Sequence, residues 1–174
     1  MTLIKTSLFL FLFGLSQLCF AQTERIITFT IKNAGIGVDG TFTDTDVKTN
    51  FDVKNLAAAY FKVEVKTKSI DTGIGLRDNH LRDEKYFDVE KYPSIVFNSE
   101  SVKAQGQTFI VVGKLTIKGV TKTIKIPFEI IFNETGPKTL EGTFELDRRD
   151  YGVGKNHLIL SDDVKVELRF VLEG

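Results

Sequence analysis

The chain has no tryptophan, a single cysteine and only two histidines, and each shortage removes a class of answer. One cysteine cannot close an internal disulfide, and zinc sites built on thiolates need several. That cysteine, Cys19, lies inside an apolar N-terminal run, so no thiol nucleophile is expected in the folded part. With two histidines, only His80 and His157 are bases near neutral pH. No Gly-x-Ser-x-Gly elbow occurs. Lys and Arg total 23 against 23 Asp and Glu, so there is no broad electrostatic field to attract nucleic acid or an anionic membrane surface. Internal repeats, low-complexity tracts and interdomain linkers are also missing, and one domain is the default.

Residues 8–20 form the one long apolar run, preceded by Lys5 and ending in Cys19, Phe20 and Ala21, with small residues at the two positions a signal peptidase reads. The run is shorter than the roughly 20 residues that span a bilayer. Residues 1–21 are therefore expected to be a leader removed after Ala21, leaving 22–174 as the mature domain, periplasmic or secreted and without stable membrane insertion. Leu18 precedes Cys19 and Ser16 stands three places before it, which is not the order that lipidation requires. A mature chain of about 150 residues buries about two-thirds of its unfolded surface and needs no covalent staple.

What is present is alternation. Ile27, Phe29 and Ile31 begin a series continued by Val38, Gly40 and Phe42, by Val47, Thr49 and Phe51, and by Ala57, Ala59, Phe61, Val63 and Val65. Ile95 and Phe97 follow, then Val111, Gly113, Leu115 and Ile117, then Ile124, Ile126, Phe128, Ile130 and Phe132. Leu140, Gly142, Phe144 and Leu146 precede a last set from Val164 to Leu172. Period two is that of a strand with one buried and one wet face. Lys62, Lys66 and Lys68 are thereby the solvated face of a strand, not a basic patch. Turns such as Lys118 with Gly119, and Thr135, Gly136 and Pro137, make sequence neighbours antiparallel neighbours. No helical period lies between strands, which argues against a parallel sheet. An all-β meander of about eight strands removes its edges by closing into a barrel.

Residues 71–91 interrupt this pattern. Asp71 or Thr72 is suited to cap a short helix, Leu76 and His80 share a face, and Pro93 returns the chain to extended geometry. The interruption carries Ser69, Ile70, Asp71 and Thr72, then Arg77, Asp78, Asn79, His80 and Leu81, then Tyr86, Phe87 and Asp88, and Tyr92, Pro93 and Phe97. In these residues, in the run from Gly113 through Lys122, and in Arg148, Arg149, Asp150, Tyr151 and Gly152, the chain resembles the YceI-like family. The resemblance implies an extended, lipocalin-like antiparallel barrel with a helical insertion. It also implies that a polyisoprenoid or related amphiphile is held inside.

An eight-stranded barrel is either filled by its own side chains or hollow enough for one small ligand. Gly40, Gly113 and Gly142, with Ala57 and Ala59, fall in the inward phase and leave room, although strand glycines also mark bends. The expected lining is Phe29, Phe42, Phe51, Phe61, Val63, Val65, Phe97, Leu115, Phe128, Ile130 and Phe144, apolar surface with no polar group to satisfy. Arg77, Asp78, His80 and Arg148 are candidates for holding a head group at the mouth, arginine through bidentate contacts. The plainer role for these arginines is pairing with Asp78, Asp83 or Asp150. His80, His157, Asp78 and Asp163 match no metal-ligand spacing.

The expected function is to sequester or carry a long-chain isoprenoid or acyl lipid, such as a polyisoprenoid, isoprenoid quinone or fatty acid. No cofactor, metal or catalytic residue is expected, and a homodimer is left open. The alternatives are a hydrolase at the barrel mouth, metal-dependent or not, and a solid barrel with a structural or interaction role.

Overall fold

The computed structural model describes residues 25–132 and 138–172. The leader and the turn at Thr135, Gly136 and Pro137 lie outside the described residues. The elements are β1 (Arg25–Asn33), β2 (Ile36–Phe42), β3 (Thr45–Asn50), β4 (Tyr60–Lys66), β5 (Ile70–Asp71), α1 (Gly75–Arg82), β6 (Ser94–Gln105), β7 (Thr108–Ile117), β8 (Val120–Ile131), β9 (Thr139–Asp147) and β10 (Leu160–Val171).

All ladders are antiparallel, in the order β3-β4-β6-β7-β8-β9-β10-β1-β2-β5. The two ends of this order meet through the chain itself. Only Thr43 and Asp44 separate β2 from β3, and one 3-10 turn, Thr67–Ser69, separates β4 from β5. Across the bend Thr43 N donates to Ser69 O and Lys66 N donates to Asp44 O. Ten ladder segments, two of them continuations, therefore make eight bent strands curled around one interior. Curling leaves few backbone groups unpaired at an edge.

Alternation holds along most strands because one face meets the interior and the other water. Lys62, Lys66 and Lys68 are exposed beside buried Phe61, Val65 and Thr67. Two segments depart from expectation. Ala57 lies in a 3-10 turn, Leu56–Ala58, and is exposed, and β4 begins only at Tyr60, so Ala57 and Ala59 do not thin the barrel wall. Strand β6 runs on past Phe97 through a bulge between Ser99 and Ser101, which inserts one residue and moves the inward phase to Val102.

The insertion contributes one helix, and it is not capped by Asp71 or Thr72. Its N-cap is Ile74, with no side-chain cap. Asp78 instead reaches back from the first turn, accepting from both the backbone N and the Oγ1 of Thr72. Arg82 ties the far end to the sheet, donating to Lys68 O at 3.0 Å and Ile70 O at 2.9 Å. Beyond the helix, Lys118 in the β7–β8 turn donates to Glu84 O at 2.7 Å and to Gly152 O at 3.1 Å. One lysine thus joins the insertion to the segment after β9.

The inward glycines make space, but for protein. A Cβ at Gly40 would stand 2.3 Å from the Phe29 ring, and one at Gly113 would stand 2.6 Å from the Phe97 ring and 2.5 Å from Asn98 O. At Gly142 the nearest atom is Pro127 O, at 3.0 Å. The rings of Phe29 and Phe97 lie down over the neighbouring strand because no side chain lifts them. Gly113→Ala has no such freedom, since one obstacle is backbone. It is expected to destabilise the barrel by about 1–3 kcal/mol, read as a lowered thermal midpoint; an unchanged midpoint would show that β6 yields there.

Candidate ligand cavity

The two ends of the barrel differ in kind. Phe51 follows β3, Phe61 begins β4, Phe109 begins β7 and Phe128 is near the end of β8, which places all four rings at one end. Their centroids lie 5.4 Å (Phe109 to Phe128) to 5.8 Å (Phe51 to Phe61) apart, mostly edge to face. This is a favourable arrangement for aromatic packing. Leu140 and Val111 complete the plug.

Above the plug the barrel is hollow. A cavity of about 520 Å³ is walled by Ile27, Phe29, Ile31, Val38, Phe42, Val63, Val65, Phe97, Leu115, Ile117, Ile124, Ile126, Phe144, Leu146, Val164, Val166, Leu168 and Phe170. Leu81, Tyr86 and Phe87 from the insertion, and Tyr151 and Val153 from the segment after β9, roof it in part. A smaller void of about 40 Å³ lies toward the plug, sharing Val63, Phe97, Ile126, Leu168 and Phe170 with the cavity and bounded on its other side by Phe61 and Phe128.

The mouth is at the end where β1 turns into β2 and β9 hands over to β10. Ile74, Leu76, Arg77, His80, His157 and Ile159 stand around it. Several apolar side chains there are unusually exposed, Leu76 at 70% and Leu158 at 104%, with Ile36, Ile74 and Ile159 also more than half exposed.

Of the residues the sequence points to as lining, Phe29, Phe42, Val63, Val65, Phe97, Leu115 and Phe144 form cavity wall. Phe51, Phe61 and Phe128 belong to the plug, and Ile130 packs beside it, because their strands reach the closed end. Phe109, absent from the expected lining, shares the inward phase of Val111 and Leu115, so extending that alternation by two residues finds it. The aliphatic wall residues of β10 and β8, Val164, Val166, Ile124 and Ile126, are in phase in the same way.

The polar candidates separate as well. Arg77 is at the cavity wall, its Nε donating to Thr72 Oγ1 and its Nη2 to Thr72 O, both at 2.7 Å. Its Nη1 makes no bond among the described residues. His80 and His157 also face the cavity. Asp78 is buried away from the wall, held on Thr72. Arg148 is 4% exposed and committed to Ser161 O, Val153 O, Lys155 O and the Asp162 carboxylate. Its acidic partner is thus Asp162; Asp150 pairs with Lys122 at 2.7 Å. Burial, and after it the Asp150 carboxylate, push the Tyr151 hydroxyl above its usual range, so it stays neutral beside the cavity. Among the described residues no three of His, Cys, Asp and Glu are grouped to hold a metal ion.

Similarity to known proteins agrees with this architecture. Residues 20–172 match the YceI-like domain. A UPF0312 protein of Pseudomonas aeruginosa is 36% identical over 157 residues, covering 87% of this chain and 81% of that protein. Burkholderia cenocepacia BcnA shares the fold at a TM-score of 0.81 and 23% identity, over 87% of this chain and 100% of that one. A polyisoprenoid binding domain from Saccharophagus degradans shares it at 0.65 and 15% identity, over 84% and 91%. With a match spanning nearly all of the described barrel and the motifs of the insertion in place, the chain belongs to the YceI-like family.

Proposed function

We propose that the protein binds and carries one amphiphilic lipid, its tail in the barrel and its head group at the mouth. The observation that carries this is the 520 Å³ cavity, closed at one end by aromatic rings and walled almost wholly by hydrocarbon. A tail gains about 0.8 kcal/mol for each methylene taken out of water, so an occupant would rarely escape into solution. Transfer from a bilayer to such a wall is close to neutral by the same measure, which permits pickup and delivery without an energy source. The shared fold of a polyisoprenoid binding domain supports an isoprenoid or acyl tail. Arg77, whose Nη1 makes no bond among the described residues, and His80 and His157, which line the same cavity, are suited to a head group carrying oxygen acceptors. A binding role accords better with this wall than catalysis, which needs polar groups converging on a reacting atom. The apolar run before Ala21 supports a carrier working in the periplasm or outside the cell.

Organic extraction of protein purified under native conditions, followed by mass spectrometry, is expected to yield one lipid per chain or a narrow set. Protein that carries no lipid and takes up none from detergent-free vesicles would overturn the proposal in favour of a structural barrel.

A further inference from the structure

We infer that the Phe51, Phe61, Phe109 and Phe128 cluster is a ruler that sets the length of tail the barrel accepts. The limit presupposes that the cavity binds a tail at all, and it adds which tails. A methylene takes up about as much liquid volume as a water molecule, roughly 30 Å³, so the 520 Å³ cavity holds no fewer than on the order of seventeen of them. That is room for at least a long fatty acyl chain, or for an isoprenoid of more than about three five-carbon units. The floor is what makes this a limit. Beneath Phe97 and Phe170 lies the 40 Å³ void, less than a tenth of the cavity's volume, and beneath that the rings of Phe61 and Phe128 pack against each other at 5.6 Å. Carbon beyond that number has one place to go, back out of the mouth against Ile74, Leu76, Leu158 and Ile159, where exposed apolar rim replaces full burial.

Tail length therefore enters affinity in two regimes. Up to the limit each added methylene tightens binding about fourfold, the equivalent of its transfer free energy. Past the limit the gain per methylene falls toward nothing. Removing a plug ring merges the small void with the cavity, because Phe61 and Phe128 are its far wall, and the break then moves to longer tails by on the order of three to six methylenes. Adding a ring to the wall, as in Val166→Phe, moves it to shorter ones.

The test is a dissociation-constant series for saturated fatty acids from about ten to about thirty carbons, measured on the delipidated full chain and on Phe61→Ala, Phe128→Ala and Val166→Phe. Thermal melts check that each variant is folded. A break within the series that lengthens in the alanine variants and shortens in Val166→Phe is the expected result. Should the alanine variants not fold, the shortening in Val166→Phe carries the test. A break that stays put in the folded variants, or affinity that climbs unbroken to the longest acid, overturns the ruler while leaving lipid binding intact. If no acid of any length binds, and no lipid is extracted from the native protein, carrier and ruler fall together.

Discussion

Val166→Asp is expected to abolish lipid retention while leaving the empty barrel folded. Val166 stands between Phe29 on β1 and Phe144 on β9 in the sheet register, and all three face the cavity. It is only half-buried, because what lies before it is open space. In the unliganded protein a carboxylate there keeps water around it, so the cost is about 1–3 kcal/mol of lost apolar contact. A bound tail must expel that water, and an unpaired carboxylate left in hydrocarbon costs several kcal/mol. Affinity should fall by about a thousandfold or more, with the thermal midpoint lowered only modestly. Titration with a fluorescent fatty acid alongside a melting curve measures both. Unchanged affinity in a folded variant would show that the tail lies somewhere other than this cavity.

Arg148→Met should have the opposite profile, a large loss of stability from one residue outside the apolar wall's main arc. The Arg148 guanidinium, buried, donates to Ser161 O at 2.9 Å, Val153 O at 2.8 Å and Lys155 O at 3.1 Å, and pairs with Asp162 at 2.9 Å. It ties two carbonyls of the segment between β9 and β10, Val153 O and Lys155 O, to Ser161 O at the start of β10. Removing it strands those carbonyls and takes from the part-exposed Asp162 one of its two arginine partners, a loss of about 3–5 kcal/mol and a fall in midpoint on the order of 10 °C for a domain of this size. Arg148→Lys keeps the charge but not the fork of donors, and should recover only part. Arg149→Met is the control. Arg149 also pairs with Asp162, at 2.9 Å, but its side chain is largely exposed, so its loss should cost no more than about 1 kcal/mol. Equal effects from the two would mean that charge near Asp162, not the carbonyl bonds, holds the segment. Gly154 belongs to the same assembly: its φ is +71°, and a Cβ would stand 2.7 Å from Arg148 Nη1.

The barrel was legible in the chain because alternation is a local property. Whether Phe29 and Val166 point the same way follows from strand geometry and the demand that one face leave water, and neither needs knowledge of the partner strand. The pattern failed where local order hides a change of phase. At β6 one inserted residue between Ser99 and Ser101 switches the face, and no residue type announces it. Before β4 the alternating alanines Ala57 and Ala59 continue the strand's period, but Ala57 lies in a 3-10 turn and Ala59 follows it before the strand begins. The helix cap failed for a different reason. Asp71 and Thr72 have the right chemistry, yet Thr72 is taken up by Asp78 and Arg77 from inside the helix.

What the sequence determined by itself is the all-β architecture, the inward faces, the insertion and the family, since each rests on residue order along one strand or one motif. Height along the barrel was settled only in three dimensions. Phe61 and Phe97 share a phase and a chemistry, but Phe61 begins its strand at the closed end, and Phe97 lies where its strand passes the cavity. Their different surroundings come from the stagger of eight strands around a ring, a non-local quantity. The same holds for the inward glycines, whose vacant positions the rings of Phe29 and Phe97 occupy from the next strand. Hollow and plug are thus made from one kind of residue, and only the packing across strands decides which is which.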